Sequence, residues 1–283
     1  MRTMLGTLYV VSTPIGNLTD ITHRALQVLR EVDLIACEDT RHTRKLLQHF
    51  GIDTRTISYH EHNEESRSKE LIRQLTDGRN VAVVSDAGTP TISDPGFRLV
   101  NAAVKNDIQV VPVPGPSALI TALTAFGLAT DEFFFAGFLP SRPTARQTRL
   151  RELSSVPGTL IFYEAPHRLA ASLKDAREVL GERHAVVARE LTKLHEEIKR
   201  GYLGELASHY SDIENPRGEF VVLIDKTVLE KEDAVNEQSI GSLVREFEAQ
   251  GLDHRVALKK AARKLGISRA EAYRQLLAER ARS

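Results

Sequence analysis

One cysteine, Cys37, stands in 283 residues, so the chain holds no internal disulfide and no multi-thiolate metal or iron–sulfur site. That usage fits a reducing cytoplasm, and Cys37 reads as a small buried filler. Long apolar runs are missing as well. None approaches the roughly 20 residues needed to span a bilayer, and the richest is Phe133–Phe138. The apolar start is broken by Pro14 and Gly16 before it is long enough for a signal core. Net charge is absent: 38 Lys and Arg meet 38 Asp and Glu, which excludes a globally basic nucleic-acid coater, a polyanionic tail and a charge-driven membrane binder. There is no G-x-G-x-x-G and no Walker lysine, which removes support for dinucleotide and P-loop nucleotide binding. No G-x-S-x-G, H-E-x-x-H or Ser-Lys arrangement points to a hydrolase. These absences predict a soluble cytoplasmic protein with no membrane association.

What is present is alternation. Strands are expected at 8–11, 33–36, 56–59, 81–85 and 110–113, with helices at 21–32, 41–50, 66–75 and 94–105 between them. That order predicts βαβ units and a largely parallel sheet over residues 1–116. An apolar helix at 118–126 leads into a second α/β domain, 117–226, with strands at 133–138, 159–163, 184–189 and 219–224 and a helix at 169–180. The polar stretch 225–238 reads as a linker. A small basic helical tail follows at 239–283: from Gly251 onward nine Lys and Arg stand against three Asp and Glu, so +6 there offsets −6 over the first 250 residues. Within it, Gly266 marks a tight turn and Ser268 an N-cap, with Leu265, Ile267, Ala272 and Leu276 facing inward. Such a helix-turn-helix is either a hairpin with a solvated basic face or a nucleic-acid reader.

Ligands of open α/β sheets bind beyond the carboxyl ends of the strands. The loop from Ser85 to Gly96 lies there; its small residues let backbone amides approach a ligand, while Asp86 and Asp94 accept hydrogen bonds. Pro114 to Ala118 offers a second backbone wall, where Ser117 either caps a helix or touches the ligand. Glu38 to Arg44 and His60 to Glu64 form a charged group. Arg41, Arg44 and His60 suit a phosphodiester or ribose, while Asp39 or Thr40 could simply cap a helix. His60 and His62 have chelating spacing but no second ligand cluster, so no metal is expected. In the second domain Glu164, Glu190 and Lys193 are candidate bases or charge stabilisers, each equally able to be half of an ion pair.

Nine ordered segments together carry a resemblance: T-P-I-G-N-L from Thr13, E-D-T-R from Glu38, H-E-H-N-E from His60, V-S-D-A-G-T-P-T-I-S-D-P-G from Val84, P-G-P-S-A from Pro114, G-F-L-P from Gly137, F-Y-E-A-P-H-R from Phe162, A-R-E-L-T-K from Ala188 and R-G-E from Arg217. With them the sequence resembles the tetrapyrrole methylase superfamily of S-adenosylmethionine-dependent enzymes, and within it the branch acting on ribosomal RNA. The resemblance implies two α/β domains with the cofactor in the cleft between them, and a homodimer. It implies methylation of the ribose 2′-hydroxyl of a cytidine in the decoding region of 16S rRNA in the small ribosomal subunit. It also implies cofactor contacts at Pro14, Asp86, Ala87, Gly88, Thr89, Ile92, Ser117, Ala118, Phe162, Tyr163, Leu191 and Gly218. Lys193 and Glu190 rank first for chemistry at the 2′-hydroxyl, ahead of Asp39 and Glu61, because in the resembled family their loop faces the cleft. Arg41, His60, Arg168 and Arg189 are expected at the RNA. Where the tetrapyrrole-modifying branch has a glycine-rich first turn, this chain has Ser12 to Asn17, which weighs against the alternative of carbon methylation of a tetrapyrrole. A ligand-responsive DNA-binding regulator, with the tail as reader, is the alternative outside enzymes.

Overall fold

The computed structural model describes residues 5–214, 216–226 and 240–280, the last three of these without their side chains. The chain divides into two compact units, Met1–Thr227 and Val228–Ser283. Most of the expected linker, together with residues 281–283 of the tail, lies outside the described residues.

The first sheet comprises β1 (Thr7–Val11), β2 (Leu34–Cys37), β3 (Thr56–Ser58), β4 (Val81–Val84) and β5 (Gln109–Val113), ordered β3-β2-β4-β1-β5 and parallel throughout. All four residues of β2 and of β4 are buried, as both-face burial of a parallel sheet demands. Their side chains alternate between two cores: Ile35, Cys37, Ala82 and Val84 pack on one face, Leu34, Ala36, Val81 and Val83 on the other. The crossovers are α1 (His23–Glu31), α2 (Thr40–His49), α3 (Glu64–Thr76) and α4 (Phe97–Lys105), and α5 (Ala118–Ala125) leaves toward the second sheet. The helix expected from 94 starts only at Phe97, because Pro95 disfavours helical backbone before it and Gly96 sits at φ +136°. Asp94 is thereby left in a loop.

The second sheet holds β6 (Phe133–Phe138), β7 (Thr159–Glu164), β8 (His184–Arg189), β9 (Glu197–Tyr202) and β10 (Phe220–Ile224), ordered β6-β7-β10-β8-β9. It is mixed. Only β6 and β7 are parallel, and β10 inserts antiparallel between β7 and β8. Three elements were not anticipated: α6 (Pro143–Leu153), α8 (Leu203–Ser211) and the edge strand β9. With α7 (Leu169–Leu180), α6 and α8 cover one face through Leu150, Leu173 and Leu206. On the other face Leu119 and Phe126 pack on Ile161 and Val186, and Ile15 from the loop after β1 joins them, so this core ties the two sheets together.

The second unit is three helices, α9 (Ile240–Ala249), α10 (His254–Lys264) and α11 (Arg269–Arg280), around Leu243, Phe247, Leu258, Ala261 and Leu276. Ala272 is buried and Leu265 and Ile267 half-buried, as the helix-turn-helix pattern requires. Ser268 Oγ accepts from Glu271 N at 3.2 Å, and Gly266 turns the chain at φ +66°.

Candidate functional site

The loops that follow β1, β4 and β5 are stitched to one another. Thr13 and Gly88 exchange backbone hydrogen bonds of 2.8 and 3.0 Å, Thr13 Oγ1 donates to Ser85 O, and Thr89 Oγ1 donates to Pro116 O. Opposite them stand the end of β7, the Leu191–Lys193 turn and the start of β10. A Cβ on Gly16 would lie 2.4 Å from Lys193 Cγ and 3.0 Å from Leu191 O, so only glycine lets these loops meet. Among the described residues five non-glycines have positive φ, and four of them, Thr91, Ser93, Glu190 and Thr192, border this cleft. Each costs on the order of 1–3 kcal/mol, a cost that packing elsewhere must support.

Between the loops lies a cavity of about 410 Å³, within the roughly 300–1,000 Å³ range of small-molecule sites. Asp86, Ala87, Gly88, Thr89, Ile92, Ser117, Ala118, Tyr163 and Gly218 line it. So do Ile15, Ser93, Asp94 and Phe138, the Glu164–Pro166 segment, and Glu219, Phe220 and Val221 of the second half. Ser117 makes no side-chain cap to α5, so of its two readings the structure keeps the one facing the cavity. Three expected contacts fall elsewhere. Phe162 is fully buried against the helices on the far face, because strand alternation sends Ile161 and Tyr163 toward the cleft and Phe162 away. Pro14 is buried in the first loop and Leu191 lies in the core beneath, neither on the cavity wall.

The cavity is acidic at one end. Burial, the neighbouring Glu38 and Asp86 charges together raise the Asp94 carboxyl to about 7, against the hydrogen bond from Ser85 that favours its ionised form. Burial and Asp86 push Glu38 up as well. Asp86 Oδ1 accepts from Asp39 N at 3.0 Å, fixing the start of α2 to the cleft, while Asp39 caps that helix through Arg41 N. The lining fits S-adenosylmethionine: the carboxylates would hold a positively charged group, and Ile15, Ile92, Ala118 and Val221 would supply apolar wall to a heterocycle.

Lys193 Nζ donates to Glu190 Oε1 at 2.9 Å and to Glu219 Oε2 at 3.1 Å. Burial lowers the lysine's proton affinity, but the two carboxylates outweigh it and the ammonium is held more firmly than usual. Burial raises Glu190, and Lys193 with the Glu219 N–H bring it below the usual carboxylate range. In this arrangement Lys193 is a cation at neutral pH and has no free lone pair to accept a proton. Of the residues expected at RNA, three carry partners: Arg41 pairs with Asp39, Arg189 donates to Arg217 O and reaches Glu197 at 3.5 Å, and Arg168 meets the buried Glu164 at 2.8 Å. His60 Nε2 lies against Asn63 and its buried Nδ1 has no partner. Glu61 borders a separate surface groove beside His62 and Arg98.

The wall supplied by Glu219, Phe220 and Val221 was not read from the sequence. The signal was available, since R-G-E directly precedes a buried strand.

A cleft at the carboxyl ends of one parallel sheet, closed by a second mixed sheet, defines a two-lobed α/β ligand-binding enzyme fold. Residues 7–207 match the family of Tetrapyrrole (Corrin/Porphyrin) Methylases. The chain is 48% identical over 270 residues to a "Ribosomal RNA small subunit methyltransferase I" from Synechocystis sp., covering 95% of this chain and 96% of that one. It is 57% identical over 221 residues to the protein of the same name from Pseudomonas aeruginosa, covering 77% and 78%. Among solved structures, the uroporphyrin-III C-methyltransferase of Thermus thermophilus complexed with S-adenosyl homocysteine superposes with TM-score 0.55 at 21% identity, over 77% of this chain and 97% of that one. A cobalt precorrin-4 methyltransferase of cobalamin biosynthesis gives 0.59 at 15%, over 77% and 94%. The chain belongs to the tetrapyrrole methylase family, whose methyl donor is S-adenosylmethionine, and is a methyltransferase.

Proposed function

We propose that this methyltransferase carries the methyl group of S-adenosylmethionine to the ribose 2′-oxygen of a cytidine in the decoding region of 16S rRNA, within the small ribosomal subunit. The observation that carries the reaction class is the acidic, strained cleft between the two sheets. The identity to relatives named for small-subunit rRNA, over nearly all of the chain, supports the substrate. The first loop, Ser12 to Asn17, lacks the glycine-rich turn of the tetrapyrrole-modifying branch.

Bound in the cleft, S-adenosylmethionine supplies a methyl already activated on a sulfonium sulfur. What the protein's own residues must do is align the hydroxyl and take its proton. Asp94 is the cavity carboxyl set to exchange a proton near neutrality, so we assign the acceptor to Asp94. A positive charge in the cavity favours its ionised form. The Glu190–Lys193–Glu219 group braces the wall opposite, with Lys193 fixing both carboxylates. We assign Arg41, His60 and Arg189 to the RNA, where Arg189 can exchange its half-exposed carboxylate partner for a phosphate, whereas Arg168 stays on the buried Glu164 and braces the wall. Pro14, Phe162 and Leu191 act through the backbone or by supporting the wall.

The protein works as a homodimer in the cytoplasm, where its substrate is assembled. Exposed Phe97 and Val104, seven residues apart on α4, give a second copy an apolar stripe to cover, and no described helix is long and apolar enough to cross a membrane. The test incubates the protein with labelled S-adenosylmethionine and small subunits lacking the modification, with uroporphyrinogen as competitor. Label in RNA supports the reading; label in the uroporphyrinogen and none in RNA overturns it in favour of carbon methylation.

A further inference from the structure

The three-helix unit carries an open groove between the starts of α10 and α11, lined by Arg255, Leu258, Arg269 and Tyr273. Leu258 forms its buried floor, whereas Tyr273 is 52% exposed. Arg255 and Arg269 are exposed and make no ion pair among the described residues. Lys259 and Arg263 continue from Arg255 at four-residue steps, so three cations form one stripe along α10. The first-turn amides are already engaged, by Asp253 at α10 and Ser268 at α11, so it is the side chains that present charge outward. Lys260, on the neighbouring stripe, instead lies 4.8 Å over the Phe247 ring and serves the helix packing.

We infer that this groove holds a single-stranded segment of the RNA substrate, with one base stacked on Tyr273 and the flanking phosphates at Arg255 and Arg269. An exposed ring set between unpaired cations suits a base whose face is free and a backbone whose charge is not neutralised. Bases in a duplex are stacked on one another and offer the ring no face. The stripe through Lys259 and Arg263 extends the phosphate track. The inference rests on RNA being the substrate, and it adds the place where the chain grips that substrate apart from the reacting nucleotide.

The test uses the full chain, with a fluorescent single-stranded RNA 16-mer and a duplex DNA of the same length as probes. Tyr273→Ala weakens RNA binding about tenfold while Tyr273→Phe retains it. The double variant R255E/R269E weakens it further and lowers the salt slope by about two. R67E/R149E, with the same change in net charge on surface pairs of the α/β unit, leaves it unchanged. With small subunits as substrate, the groove variants raise KM and leave kcat and S-adenosylmethionine affinity alone. Wild-type RNA affinity and KM in both groove variants, with helical content intact, would overturn the inference, as would tighter binding of the duplex. Failure of the wild-type protein to methylate small subunits, with the groove variants still losing RNA affinity, would instead remove the proposed reaction and keep the groove.

Discussion

The cleft of the α/β unit and the groove of the three-helix unit handle positive charge differently. In the α/β unit the cations nearest the core and the cleft are met by the chain's own carboxylates: Arg146 by Asp175, Arg168 by Glu164, Lys193 by Glu190 and Glu219. In the three-helix unit Arg255, Lys259, Arg263 and Arg269 have no such partner among the described residues. Paired charges close to a cleft fix geometry at short range, and buried ones are little affected by salt. Unpaired charges on a surface act outward over about a Debye length, roughly 8–10 Å at ordinary ionic strength. The net charge of zero is therefore the sum of two working parts, one that positions and one that attracts.

The sharpest way to break this division is at Asp94. Asp94→Asn lowers the single-turnover methylation rate by about 10²–10⁴ and leaves donor binding by calorimetry in place; a rate within threefold of wild type would move the proton acceptor elsewhere. The next effect separates buried from exposed pairing. Arg146→Ala strands the nearly buried Asp175 and costs about 3–5 kcal/mol in urea unfolding, while Arg149→Ala, which opens a surface pair with Glu152, costs about 1 kcal/mol or less. Equal losses would erase the distinction.

Titration gives a smaller effect with a definite sign. The raised Asp94 makes kcat/KM, which reports the free enzyme, climb with pH through about 7, while the rate with donor bound climbs at lower pH, and Glu38→Gln, which removes a neighbouring negative charge, moves both inflections down. The same group favours the ligand-free fold when protonated, so its contribution is present below its unfolded value and is lost as pH rises through about 7. Asp94→Asn flattens that part of the stability profile; an unchanged slope would contradict the assignment. The smallest effect is at Gly16, where Ala places a Cβ against Lys193 and loosens donor binding severalfold while the helices of the second unit melt as before.

The first sheet was legible because a parallel sheet buried on both faces leaves continuous runs such as Val81–Val84. The second was legible only in part. β9 carries Glu197, Lys199 and Arg200 on an edge, where charge is tolerated and periodicity is hidden. α6 buries Arg146 against Asp175, a polar core that no apolar pattern announces. At the site, loops read as small and acidic do line the cavity, but Phe162 was placed by motif where its strand's two-residue alternation sends it to the opposite face. The local pairs Arg168–Glu164 and Lys193–Glu190 were open from spacing and residue type, whereas the second partner of Lys193, Glu219, comes from a segment that meets it only in space.

The most direct measurement digests RNA from labelled small subunits with alkali and identifies the labelled product by mass. Methylation of the ribose 2′-oxygen blocks cleavage at the next phosphodiester, so the account predicts label in an alkali-resistant dinucleotide beginning with cytidine. Label recovered only in mononucleotides would place the methyl group on a base and contradict it.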